Sequence, residues 1–244
     1  MHPLICEIGP LKIYSYGLML VLAFFIAAFL ADKEAKKRKF PTDFIWNIGF
    51  ISTVLGIIGA RIFYVLENIK FYFNNPLEII ILQHGGLSWF GGFILGGLVA
   101  IYYSKKKKIP VLKTLDLFAP YLALAQGIGR LGCFLNGCCY GKASLSGMYF
   151  PVHGEMLIPT QLYSSLALIL IFIFLRYLQS KPLHEGAVIC SYLILYSTKR
   201  FIVEFFRNDN SVFISGLTLF QVIALLLFIS TSICLFSIIK KPKA

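Results

Sequence analysis

The chain has 244 residues, of which 58% are hydrophobic and only 14% charged, yet its formal net charge is +12. A soluble globular domain is typically about 45–50% apolar and about 25% charged, so the composition excludes an ordinary soluble domain, and it excludes disordered and low-complexity chains as well. The natural solvent is lipid, and the positions of the 23 Lys and Arg residues become the informative feature.

A membrane-spanning helix needs about 20 mostly apolar residues. Seven segments meet that need in chain order, at 13–31, 44–66, 85–104, 114–135, 160–178, 187–206 and 216–239. The third, fourth and sixth are the least uniform because they contain Gly, Pro or charge. Runs such as LMLVLAFFIAAFLA and LALILIFIFL are continuous rather than alternating, so helices are expected and a membrane β-barrel is not. The first segment carries its basic cluster after the apolar run, the reverse of a signal peptide, and reads as a mature helix. The expected class is an all-α integral membrane protein, one polytopic domain over residues 1–244.

The basic residues then sort by side. Fifteen follow segments one, three, five and seven, including Lys36 to Lys39 and the run Lys105 to Lys108; four, Lys12, Lys70, Lys142 and Arg207, lie on the other side. The positive-inside rule makes the fifteen-residue side cytoplasmic, with the N-terminus extracytoplasmic and the C-terminus cytoplasmic. Topology and anionic-lipid contact account for these flanks. No nucleic-acid partner is implied, and no Gly-Lys-Ser/Thr phosphate loop is present.

Four cations remain inside spans: Arg61, Arg130, Lys199 and Arg200, with Glu204 and Asp116 as the acids. Charge at membrane depth is costly and usually functional. At about 1.5 Å per residue, Arg61, Arg130, Arg200 and Glu204 all lie at or outside the midplane, level with Tyr16 at the start of segment one. Tyr196, Arg200 and Glu204 are spaced i, i+4, i+8 and share a stripe, so Arg200 and Glu204 can pair within their helix. Lys199 leaves that stripe and either snorkels or faces another helix. A self-neutralising structural pair is the alternative to a site, and for Arg61 a tie to Glu67 or to carbonyls. Arg130 sits in the run Gln126 to Gly141, which holds five glycines. A guanidinium beside permissive backbone suits phosphate, and the anion available at this depth is a phospholipid headgroup.

These residues resemble the bacterial prolipoprotein diacylglyceryl transferase family over nearly the whole chain. The resemblance rests on Gly129-Arg-Leu-Gly-Cys-Phe-Leu-Asn-Gly-Cys-Cys-Tyr-Gly141, with Tyr16-Gly-Leu-Met19, Gly59-Ala-Arg-Ile-Phe-Tyr-Val65, Pro159-Thr-Gln-Leu-Tyr163 and Arg200-Phe-Ile-Val-Glu-Phe-Phe-Arg207. It implies transfer of a diacylglyceryl group from phosphatidylglycerol to the lipobox cysteine of a prolipoprotein signal peptide, at the outer face of the bacterial plasma membrane. It implies catalytic roles for Tyr16, Arg200 and Glu204. Arg130, Arg61, Asn136, Gly141, Tyr196 and Gln161 are implied to bind the phospholipid, with Arg130 on its phosphate. Two positions depart from the family pattern. Phe90 stands where many members have His, so a histidine base is not expected there; His84 is the alternative, against an ordinary exposed loop histidine. Cys133 stands where many have Asn.

No cofactor or metal is expected. Cys133, Cys138 and Cys139 form C-x4-C-C near the outer face; the spacing matches no zinc pattern and reads as small-residue packing, with a disulfide or a metal cluster as the alternatives. Two other functional readings stay open: a secondary transporter of a phosphorylated or carboxylated solute, against which stand the lack of a clear repeat and the outward offset of the charges, and a non-catalytic lipid-binding protein.

Overall fold

The computed structural model describes residues 2–8, 11–81, 85–207, 212–214 and 216–240. The chain is mostly helical. Among the described residues, helices of 18 residues or more are α1 (Ser15–Lys37), α2 (Phe44–Glu67), α4 (Trp89–Lys106), α5 (Val111–Asn136), α6 (Thr160–Gln179), α7 (Ala187–Glu204) and α8 (Leu219–Ile239). They lie over the seven segments read from the sequence. Four of them, α1, α2, α6 and α8, are long and apolar enough by composition to cross a membrane. The other three carry what lowers their hydropathy: four glycines in α4, Pro120 and Arg130 in α5, Lys199, Arg200 and Glu204 in α7. Outward-facing side chains such as Phe25, Leu170 and Ile233 are apolar and exposed, the arrangement expected for a helix bathed in lipid.

The all-α expectation needs one correction. Among the described residues, six short strands form three antiparallel two-stranded sheets: β1 (Leu4–Ile8) with β2 (Leu11–Tyr14), β3 (Ala143–Phe150) with β4 (Glu155–Leu157), and β5 (Val212–Ile214) with β6 (Leu217–Thr218). Each fills a connection beside a helix start, where backbone that leaves the helix must find other hydrogen-bond partners. These pieces are too short and irregular for an alternating pattern to reveal them.

Two compact units divide the chain, one of residues 1–31 and 115–244, the other of 32–114. In the second unit, α2 packs along α4 through small residues. A Cβ on Gly91 would lie 2.3 Å from the Gly59 carbonyl oxygen, and one on Gly59 would lie 2.6 Å from that of Gly91. Small residues let backbones approach where no hydrophobic force drives helices together in lipid. A short helix, α3 (Ile69–Asn74), and a 3-10 turn (Pro76–Ile79) follow α2.

In the first unit, the core between α5, α6 and α7 is built from Ala119, Ala123, Ile171, Leu175, Val188, Ile189 and Tyr192. Asp116 caps α7 from the neighbouring helix: its carboxylate accepts from the Gly186 and Ile189 N–H groups at 2.6 and 2.8 Å. Those N–H groups have no partner within their own helix. Gln179 donates to the Asp116 carbonyl at 2.6 Å. This polar knot closes one end of the bundle. The start of α1, the end of α5, the start of α6, the end of α7 and the start of α8 meet at the other.

Candidate active site

At that other end the first unit gathers most of the residues singled out from the sequence. Tyr16 lies in the first turn of α1, and its ring edge lies 3.4 Å from where a Gly132 Cβ would sit on α5. The absence of a side chain at Gly132 therefore brings the tyrosine against the helix that carries Arg130. The Tyr16 hydroxyl is within electrostatic reach of Arg130 and of Cys133, Cys138 and Cys139.

Helix α7 supplies the charged stripe. Arg200 Nη2 lies 3.0 Å from Glu204 Oε2, an i, i+4 ion pair in which the Glu204 side chain is fully buried. The guanidinium also covers the Phe220 ring at 4.7 Å. Thr218 caps α8, with its hydroxyl accepting from the Gln221 N–H, while the same hydroxyl donates to Glu204 Oε1 at 3.0 Å. The acid is thus fixed from both sides, by Arg200 on its own helix and by the first residue of the next. Thr218 and Phe220 are missing from the sequence reading. The S/T-x-x-Q spacing of the capping box at Thr218 and Gln221 is the signal that marks Thr218; no such spacing marks Phe220.

Lys199 does not snorkel. It is buried, and its ammonium lies 4.5 Å from the centre of the Tyr196 ring. Tyr196 stacks in turn near Tyr192 at 5.9 Å, and the Tyr192 hydroxyl donates to Gln126 Oε1 at 3.0 Å. Arg130, Lys199, Arg200 and Arg207 are close enough for their charges to act on one another. Four basic side chains therefore form one cluster, within which Arg200 is paired with the buried Glu204. Among the described residues, no protein group takes a hydrogen bond or ion pair from Arg130.

The signature run after Arg130 forms the end of α5 and the turn beyond it. Gly137 adopts φ 75°. Its N–H donates to the Phe134 carbonyl and that of Cys138 to the Cys133 carbonyl, each at 3.1 Å. This is a Schellman helix end, with glycine at the left-handed position. Asn136 is the last helical residue, and the Cys138 thiol beyond it donates to the Cys133 carbonyl at 3.7 Å. The loop is then clamped by α6: Thr160 donates to the Cys139 carbonyl at 2.8 Å and Gln161 to the Cys138 carbonyl at 2.7 Å. Gly141 is demanded by packing, since a Cβ there would lie 2.5 Å from the Phe206 carbonyl oxygen and 2.8 Å from Thr160 Cγ2. It bridges to Arg207, so the signature segment and the end of α7 are laced together. Hydrogen bonds from the Cys133 and Cys138 thiols hold the Cys139 thiol below the usual range, and the Arg207 and Arg130 charges act in the same direction.

Arg61, expected among the phospholipid ligands, belongs to the second unit and is engaged differently. Its Nε donates to the Ile79 carbonyl at 2.9 Å, Nη1 to those of Gly85 and Gly86 at 2.6 and 2.8 Å, and Nη2 to those of Glu78 and Ile81. A guanidinium has five N–H donors, and all five are spent on backbone. In this arrangement none is left for a phosphate. The tie to carbonyls, rather than to Glu67, is what the structure contains; Glu67 accepts from Ser88 Oγ at 2.9 Å instead. Phe90 lies on α4 with its ring exposed. His84, the alternative base, lies outside the described residues.

The chain is similar to known proteins over nearly its whole length. The family model described as prolipoprotein diacylglyceryl transferase matches residues 3–237. The chain is 40% identical over 233 residues to a protein of Clostridium tetani named phosphatidylglycerol–prolipoprotein diacylglyceryl transferase, covering 92% of this chain and 93% of the relative. Proteins of the same name in Streptococcus mutans and Streptococcus pyogenes are each 36% identical, the first over 88% of this chain and 86% of the relative, the second over 93% and 92%.

Proposed function

The chain belongs to the prolipoprotein diacylglyceryl transferase family, and on that footing we propose that it moves the diacylglyceryl group of phosphatidylglycerol onto the lipobox cysteine of a prolipoprotein. The observation that carries the site assignment is Arg130: a guanidinium with no protein partner among the described residues, in a cluster of four basic side chains whose nearby acid, Glu204, is paired with Arg200. Such a cluster is a receptor for an anion, and a phosphodiester headgroup supplies one.

In this reading Arg130 holds the phosphate with paired N–H bonds. Arg200 is aimed by Glu204 and Phe220 and adds a second contact. The acceptor thiol loses its proton to water and attacks the glyceryl carbon that bears the phosphate. A C–S bond forms, the C–O bond to phosphate breaks, and glycerol 1-phosphate leaves with the bonding pair. Negative charge grows on the leaving phosphate as this happens. Fixed cations stabilise that charge without reorganising, and the same positive potential favours the thiolate of the acceptor. Tyr16 sits beside Arg130 in the place to orient headgroup or thiol, and Tyr196 is placed to do the same from α7. Asn136, Gly141 and Gln161 shape the loop next to them. Arg61 is assigned a positioning role, holding the backbone of residues 78–81 and of Gly85 and Gly86.

The polar end of the first unit is read as extracytoplasmic. The fifteen-to-four division of basic residues supports an outer N-terminus, seven spans and an inner C-terminus in the plasma membrane, with both units part of one polytopic domain. The test is reconstitution in liposomes with labelled phosphatidylglycerol and a lipobox peptide. Label on the peptide cysteine is the expected result. Solute uptake with no label transfer would replace this reading by the transporter.

A further inference from the structure

The three cysteines of the C-x4-C-C run carry more than their spacing suggests. Cys133 lies on the last turn of α5, and the Schellman turn through Gly137 reverses the chain directly after it. Cys138 is thereby folded back over Cys133. Cys139 takes φ 62°, a left-handed conformation that costs a non-glycine residue energy. The outcome is that the Sγ atoms of Cys133, Cys138 and Cys139 all lie within 4.8 Å of one another. All three are free thiols. A zinc–thiolate bond is about 2.3 Å, so three sulfurs on one tetrahedral ion stand about 3.8 Å apart. The cluster is one small side-chain adjustment from that spacing.

Three further features suit a metal better than packing. Cys133 is buried and the other two are half-buried, so the sulfurs face one another rather than solvent. The loop that carries them is fixed from behind by Thr160 and Gln161 through the Cys139 and Cys138 carbonyls, which holds the ligands before any ion arrives. Three thiolates around a dication leave one net negative charge, and the positive charges of Arg130 and Arg207 act at this place. A disulfide would use two sulfurs and strand the third, and the adjacent pair has poor geometry for a bridge.

We propose that Cys133, Cys138 and Cys139 form a tris-thiolate site for a thiophilic d10 cation of the zinc class, at the end of α5 beside Tyr16. Binding exchanges three S–H protons, released to solvent, for three metal–sulfur bonds, with no change of oxidation state. The fourth position is left to water. The inference does not depend on the transferase reading, because the site is defined by its own three side chains.

The test uses the full-length protein, reduced and stripped with chelator in detergent, and titrated with cobalt(II) as a spectroscopic stand-in for zinc. The expected result is one equivalent per chain, with intense thiolate-to-cobalt charge-transfer absorption that zinc abolishes. Cys138→Ser or Cys139→Ser should weaken binding by more than about tenfold, whereas a Cys6→Ser, Cys190→Ser, Cys234→Ser variant should bind as the wild type does. A second measurement needs no variant: one equivalent of zinc should shield Cys133, Cys138 and Cys139 together from iodoacetamide while Cys6, which is exposed, stays reactive. Absence of the charge-transfer band, alkylation unaffected by zinc, or a disulfide among the three in protein isolated without reductant would each overturn the proposal.

Discussion

Arg61 and Arg130 look alike in the sequence. Each is read as a cation in the outer half of a span, each lies in a glycine-containing motif, and for each the family resemblance implies phospholipid binding. The structure separates them by what their donors meet. Arg61 is 7% exposed and its five N–H groups end on five backbone carbonyls. It is the internal tie of a segment that contains two left-handed glycines, Gly85 and Gly86, whose carbonyls turn toward it. Arg130 has no such partner among the described residues and stands with Lys199, Arg200 and Arg207. A saturated arginine builds structure; in the proposed function the unsaturated one, gathered with other cations, is the one that meets an anion from outside the chain.

That difference is open to attack by substitution. The largest stability effect is expected at Arg61. Arg61→Ala would leave five carbonyls without donors; one buried acceptor left unsatisfied costs about 1–3 kcal/mol, and here several lose their donor together. A thermal unfolding scan in detergent should show the loss, and an unchanged midpoint would mean that the carbonyl tie is dispensable. Gly141→Ala comes next, because a Cβ would press on the Phe206 carbonyl; overpacking of this kind costs about 1–3 kcal/mol, and the lacing between the signature loop and α7 should loosen. A crystal structure with the loop unmoved would contradict the packing account of this glycine.

Thr218→Ala removes a helix cap worth about 1 kcal/mol and the bond to Glu204 Oε1. Transfer activity should fall by more than the stability loss explains, with Thr218→Ser restoring most of it. Equal activity in Thr218→Ala would show that Glu204 is held by Arg200 alone. The smallest effect belongs to Phe90→His, on an exposed ring of α4. A surface change of this kind is expected within about 0.5 kcal/mol, with transfer retained; complete loss of transfer would show that an apolar residue is needed there.

Apolar runs located the long helices closely, and four of them, α1, α2, α6 and α8, are long and apolar enough to cross a membrane, because the bilayer demands both length and composition. The Arg200–Glu204 pair was equally legible, since helical spacing alone brings i and i+4 together. What escaped the sequence is whatever depends on a second element. Asp116 reads as an isolated acid, but its partners are N–H groups some 70 residues away in the chain. Lys199 reads as a residue turned from the stripe, and burial against Tyr196 needs the packed bundle. Arg61 reads as a ligand because carbonyls, which every residue has, leave no mark in a sequence. The three cysteines read as packing because their convergence depends on a helix end and two left-handed residues, Gly137 and Cys139.

The most direct test of the central claim is single-turnover transfer by Arg130→Ala in liposomes of labelled phosphatidylglycerol, measured beside its unfolding midpoint. Loss of a fixed charge that meets the departing phosphate is expected to slow transfer by about a hundredfold to a thousandfold. The midpoint should stay at the wild-type value, because no protein group among those described loses a partner. Transfer at the wild-type rate, or a midpoint that falls as far as that of Arg61→Ala, would contradict the account.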